Sequence, residues 1–60
     1  MNNLNVGQKL ISTEFPQYGE WIITEISKDF DGDIIYTIRG FSGERILFAS
    51  EITRGFFKLI

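Results

Sequence analysis

Six glycines, at positions 7, 19, 32, 40, 43 and 55, divide a chain of 60 residues into short segments. Spacing of this kind predicts brief strands joined by tight turns. The segments between the glycines, "QKLIS", "EWIITEIS", "DIIYTIR", "ERILFA" and "GFFKLI", are rich in isoleucine and aromatics, which suit a pleated and half-buried surface. They predict five strands. Helix is expected only in "ASEIT", where Ser50 is a candidate cap for a single turn before the last strand.

A chain this short removes only about 60% of its unfolded surface from water on folding, so its stability is marginal. It has no cysteine for a disulfide and no histidine, so packing alone must hold it, and an aromatic share of 15% supplies the bulk for that. One domain over residues 6–60 is expected, preceded by a flexible N-terminus at 1–5. "MNNLNVGQ" has neither the basic end nor the apolar centre of a signal peptide, and no apolar run is long enough to span a bilayer. A soluble, cytoplasmic protein without a membrane partner or cofactor is the expectation. Net charge is −2, which disfavours general attraction to nucleic acid, yet the charge is uneven. Residues 1–33 set Lys9 and Lys28 against six carboxylates, whereas 34–60 set Arg39, Arg45, Arg54 and Lys58 against Glu44 and Glu51.

Two copies of Phe-polar-Gly-acid, "FDGD" at 30–33 and "FSGE" at 41–44, read as hairpin loops. A three-residue loop with a left-handed glycine at its third position suits both. Facing residues must then share a face. The loop Phe30-Asp31-Gly32 sets Lys28 opposite Ile34 and Ile26 opposite Tyr36, whereas a two-residue Asp31-Gly32 turn would align isoleucines with charged and polar residues. The loop Phe41-Ser42-Gly43 sets Arg39 opposite Arg45, Ile38 opposite Ile46 and Tyr36 opposite Phe48. The expected inner face is Ile22, Ile26, Ile34, Tyr36, Ile38, Ile46 and Phe48. Trp21 and Ile23 fall outside it unless a bulge at Thr24 or Glu25 switches the second strand. In the last strand Phe57 and Leu59 point inward and Phe56, Lys58 and Ile60 outward, while Ile52 plugs one end. Pro16 keeps the longest loop, "STEFPQYG", from becoming a regular strand.

Strand, long aromatic loop, long strand, turn, strand, turn, strand, helical turn and short strand: this order resembles an SH3-like small β-barrel over residues 6–60. "SGERILFASEITRGFFKLI" looks like the distal hairpin, 3-10 turn and last strand of that fold, and "STEFPQYG" takes the place of its long loop. The resemblance implies an all-β, five-stranded barrel. Peptide-binding SH3 domains carry an Ala-Leu-Tyr-Asp-Tyr-type set in the long loop, paired tryptophans opening the third strand and a Pro-x-x-Tyr in the helical turn. Here "DIIYTIR" and "SEIT" stand in the last two places, so the resemblance does not extend to PxxP recognition. Short proteins of this appearance occur in bacterial mobile elements, and the similarity implies an accessory protein of that kind.

Chemistry-bearing motifs are few. "DFDGD" alternates three aspartates, but an EF-hand loop needs its glycine after the third acidic position and a later glutamate, so a solvated hairpin turn is the better reading. Without histidine or cysteine the usual catalytic base and nucleophile are missing, and no enzyme is expected. Two candidate surfaces remain. Arg39, Arg45, Arg54 and Lys58 would form a basic strip; the facing Arg39 and Arg45 are either neutralised by Glu25 or Glu44 nearby or kept for a nucleic acid or other anion. Phe15, Tyr18, Phe56 and, if it faces outward, Trp21 would form an aromatic platform for another protein; alternatively Phe15, Tyr18, Phe30 and Phe41 serve as lids over the ends of a small barrel. The expectation is a non-catalytic module that contacts another protein through the long loop and last strand, with nucleic acid as the alternative. It is expected as a monomer or a weak homo-oligomer that pairs its edges and buries Phe56 and Ile60.

Overall fold

The structure is a computed structural model, in which residues 4–60 are described. It is all-β, with five antiparallel strands: β1 (Lys9–Ser12), β2 (Glu20–Lys28), β3 (Ile34–Gly40), β4 (Gly43–Phe48) and β5 (Phe57–Leu59), in the order β4-β3-β2-β1-β5. A 3-10 turn at Pro16–Tyr18 lies in the loop after β1, and one helical turn, α1 (Ala49–Thr53), joins β4 to β5. β4 and β5 do not pair, so the sheet is open along one seam and the expected closed barrel is not formed. A small five-stranded antiparallel sheet of this order is compatible with an SH3-like fold. Of the stretch expected to be flexible, residues 1–3 lie outside the described residues, while Leu4 is half-buried against the core.

The two loop copies fold differently. After β2 the three-residue loop forms as expected: Asp29 N–H donates to Asp33 O, Gly32 takes φ +84°, and Lys28 and Ile26 face Ile34 and Tyr36. Asp29 itself holds that loop, because its Oδ1 accepts the N–H groups of Asp31 and Asp33, both at 2.9 Å. The equivalent residue before Phe41 is Gly40, which has no side chain to do this. There the turn contains only Phe41 and Ser42, and Gly40 faces Gly43. Neither turn residue has positive φ; the twist mismatch of such a turn is taken up by Gly43 at φ +124°.

Shortening the loop by one residue turns every side chain of β4 over. Leu47, not Ile46 or Phe48, faces Tyr36 from the inside and is fully buried. Ile46 and Phe48 are on the outer face, 47% and 46% exposed. Arg45 moves to the inner side opposite Ile38, and Arg39 faces Glu44 instead of Arg45.

The second strand also changes face. The β2–β3 register shifts between Ile23 and Glu25, which marks a bulge at Thr24. Ile26 keeps its expected partner, but Trp21 and Ile23 now face inward and Ile22 outward, as the bulged alternative required. The core is therefore Leu10, Trp21, Ile23, Tyr36, Ile38, Leu47 and Phe57, with Ile52 and Ala49 of α1 packed against it. Ile26 and Ile34, expected within it, lie outside the buried set and are 38% and 40% exposed. Phe57 is buried as expected, and Leu59, on the same face, is partly open. The α1 turn is not capped by Ser50; Glu51 Oε2 instead accepts the N–H of Phe48 at 3.0 Å.

Candidate functional site

Trp21 opens β2 opposite Leu10, one position beyond the Ile22–Arg39 pair and hence across from Gly40. A Cβ on Gly40 would lie 3.0 Å from two atoms of the indole. The missing side chain of Gly40 is what lets the ring lie against the end of the hairpin. A three-residue loop would have put Glu44 opposite Gly40, beside the indole. Phe57 packs edge-on against Trp21, with ring centroids 6.4 Å apart. Only 6% of Trp21 remains exposed, and its Nε1–H has no hydrogen-bond partner. Trp21 is thus a core residue, not part of the outer aromatic platform.

Trp21 supports a group of outer rings. Tyr18 meets it edge-on at 6.5 Å and in turn contacts Phe15 at 5.9 Å and Phe41 at 6.3 Å. Phe15 and Tyr18 are well exposed and Phe41 is 78% exposed. The loop that carries the first two is fixed locally. Ser12 Oγ accepts Phe15 N–H at 3.0 Å, Tyr18 N–H donates to Phe15 O, and Gly19 N–H to Pro16 O. Thr13 ties the same loop to the last strand, its hydroxyl donating to Gly55 O at 2.7 Å and its N–H to Phe56 O at 2.9 Å. Two turns distant in sequence, 15–18 and 41–42, thereby present three exposed rings, with Tyr18 at their centre and resting on the buried indole. Phe41 was expected only as a lid. Its sign in the sequence is the glycine before it, which brings the hairpin tip close to Trp21. Phe30, in the other loop copy, is fully exposed and stacks on no aromatic ring among the described residues.

The basic residues do not form one strip. Arg39 is on the outer face with Glu44 as its cross-strand partner, and Lys58 lies on that face beside Ile11. Arg45, on the inner side, reaches Glu51 at 3.4 Å and lies over the Phe57 ring at 5.4 Å. Arg54 lies over Phe56 at 5.7 Å. These are solvent-accessible contacts, each worth at most about 1 kcal/mol. Carboxylates stand beside Arg39 and Arg45, so the repulsion that first suggested an anion there is absent.

The carboxylates of Asp29, Asp31 and Asp33 offer oxygens within 4.8 Å of one another. One oxygen of Asp29 already holds the turn, which accounts for the cluster structurally. Two shallow clefts flank α1: one of about 160 Å³ is lined by Asp33, Ile34, Phe48, Ala49 and Ser50, and one of about 90 Å³ by Leu4, Tyr36, Ala49, Ile52 and Thr53. Pockets for drug-sized ligands run from about 300 Å³ upward. Among the described residues no helix is long and apolar enough to cross a membrane. Compared with protein-family models, curated proteins and solved structures, the chain gives no match.

Proposed function

We propose that this chain is a non-catalytic, SH3-like binding module whose partner is another protein, held on the aromatic surface of Phe15, Tyr18 and Phe41. The observation that carries this reading is the grouping of Phe15 and Phe41 around Tyr18, which itself rests on a buried indole, with the 15–18 turn tied down by hydrogen bonds. Rings fixed in this way bury large apolar area on contact and lose little conformational freedom, the property that enriches aromatics among interface hot spots. Thr13 joins the same loop to the backbone of Gly55 and Phe56, and the exposed Phe56, with Arg54 over its ring, is a second part of the proposed contact surface.

Nucleic acid remains the second reading, drawing on Arg54 and Lys58 beside Phe56, but Arg39 and Arg45 on opposite faces support it less. The test is affinity capture of partners followed by binding measurements on the captured protein. Tyr18→Ala and Phe41→Ala should each weaken the complex about 30-fold, the scale of a hot-spot residue, and Phe30→Ala should leave it unchanged. Equal losses at Phe30 would remove the aromatic surface from the account. Retention on a DNA column that falls steeply with salt would favour the second reading.

A further inference from the structure

β4 is an edge strand with an open row of backbone groups. Its closing pair across the two-residue turn, Gly40–Gly43, is hydrogen-bonded, so Arg45 and Leu47 also bond to β3 while Glu44, Ile46 and Phe48 turn their N–H and C=O outward. Two contacts agree with that phase: Phe48 N–H is free to reach Glu51, and Thr37 O, in the alternate set of β3, accepts from Thr24 on the opposite neighbour. Glu51 closes the edge at Phe48. Between Gly43 and Leu47, no backbone bond outside the strand ladders is made among the described residues. Beside this row lie the half-exposed outer side chains of Ile46 and Phe48 and, on the inner side, the partly exposed Arg45.

A second copy of the chain fits this edge poorly. Symmetric antiparallel pairing that uses Glu44 and Ile46 of both copies is centred on Arg45 and sets the two arginines face to face. The edge asks instead for an apolar residue opposite Ile46, an acidic residue opposite Arg45 that shares the exposed guanidinium with Glu51, and a basic residue opposite Glu44 that shares its carboxylate with Arg39. We infer that β4 is a second interaction surface, separate from the aromatic one, that accepts an antiparallel strand of a partner protein reading apolar-acidic-basic from its N-terminus. Main-chain bonds to Glu44 and Ile46 supply the docking, and Arg45 and Glu44 set the register by charge.

The probe is the peptide Ac-TVEKT-NH2, titrated into the isotopically labelled full chain and followed by amide NMR. The expected result is downfield shifts and slowed hydrogen exchange at the Glu44 and Ile46 amides, with residues 15–18 unmoved. The swapped peptide Ac-TVKET-NH2 should bind about threefold more weakly, and Arg45→Glu should invert that preference. Ile46→Pro removes an outward donor without touching the β3–β4 ladder, and should abolish the shifts while the rest of the spectrum stays dispersed. Shifts confined to the aromatic loop, undiminished binding by Ile46→Pro, or a preference that Arg45→Glu leaves unchanged would overturn the inference. So would protection of Glu44 and Ile46 that grows with protein concentration alone, since the edge would then belong to self-pairing.

Discussion

Gly40→Ala places one methyl group where the fold has no room for it. The new Cβ would sit 3.0 Å from Cδ2 and Cε3 of Trp21 and 3.3 Å from Cζ3. Carbon atoms pack comfortably at about 3.5–4.0 Å, so the indole must retreat by roughly half an ångström or more. It cannot retreat freely, because Phe57 and Tyr18 already pack against it. Overpacking of this kind costs about 1–3 kcal/mol. The φ of Gly40 is not in the left-handed region, so alanine also gains about 0.4–1 kcal/mol by restricting the unfolded chain. The net expectation is a loss of about 0.5–2 kcal/mol. For a domain this small each kcal/mol moves Tm by roughly 8 °C, so thermal unfolding followed by circular dichroism should show a fall of about 5–15 °C. Trp21→Phe in the same chain gives the sharper result. The smaller ring makes space for the methyl group, so the double variant should be more stable than the sum of the single ones by at least about 0.5 kcal/mol. Gly43→Ala is the control: nothing lies within 4 Å of its Cβ, so its cost comes from φ +124° and should not couple to Trp21. A neutral or stabilising Gly40→Ala, additive with Trp21→Phe, would refute the seating of the indole on the hairpin.

Asp29→Ala removes the acceptor that holds both Asp31 and Asp33, and should cost about 1 kcal/mol in urea unfolding, with Asp29→Asn recovering part of it through its remaining carbonyl. Phe57→Ala should cost about 3–5 kcal/mol, enough to unfold a marginal domain, whereas Phe56→Ala should stay within about 1 kcal/mol of the parent chain. Leu47→Ala should destabilise by about 2–5 kcal/mol and Ile46→Ala by much less, which equilibrium unfolding of the two variants would compare directly.

The strand segments, their order and the α1 turn were legible because they rest on local composition and on glycine punctuation. The first loop was also legible, since its phase is fixed by alternation in the two long strands it joins. The second loop was not, although its motif is nearly the same. What separates them is one position before the phenylalanine: Asp29 has a carboxylate that organises a longer loop, and Gly40 has none but leaves room for an indole. Hydrophobic pattern favoured burial of Ile46 and Phe48, two apolar residues against the single Leu47, and it misled because the seat of Trp21 lies in a different strand. That seat depends in turn on the Thr24 bulge, where side-chain alternation allowed either face.

The shorter loop also rearranges the candidate surfaces. An opposed pair Arg39–Arg45 exists only in the longer loop; in the shorter one Arg39 meets Glu44, Arg45 crosses to the inner side, and the motive for an anion there disappears. Phe15 and Tyr18 are exposed as expected, since the longest loop, kept irregular by Pro16, presents them whatever the register. The aromatic surface lost Trp21 to the core and gained Phe41, a contact between distant turns that no local pattern announces.

The register of β3 against β4 therefore carries the account, and interstrand proton contacts read it directly. Non-hydrogen-bonded antiparallel pairs bring opposing Hα atoms close together. In the register described here those pairs are Arg39 with Glu44 and Thr37 with Ile46, so strong Hα–Hα nuclear Overhauser effects are expected between them. Strong effects between Arg39 and Arg45 and between Thr37 and Leu47 would contradict it, returning Ile46 and Phe48 to the core and removing both the indole's seat and the outward backbone groups of Glu44 and Ile46.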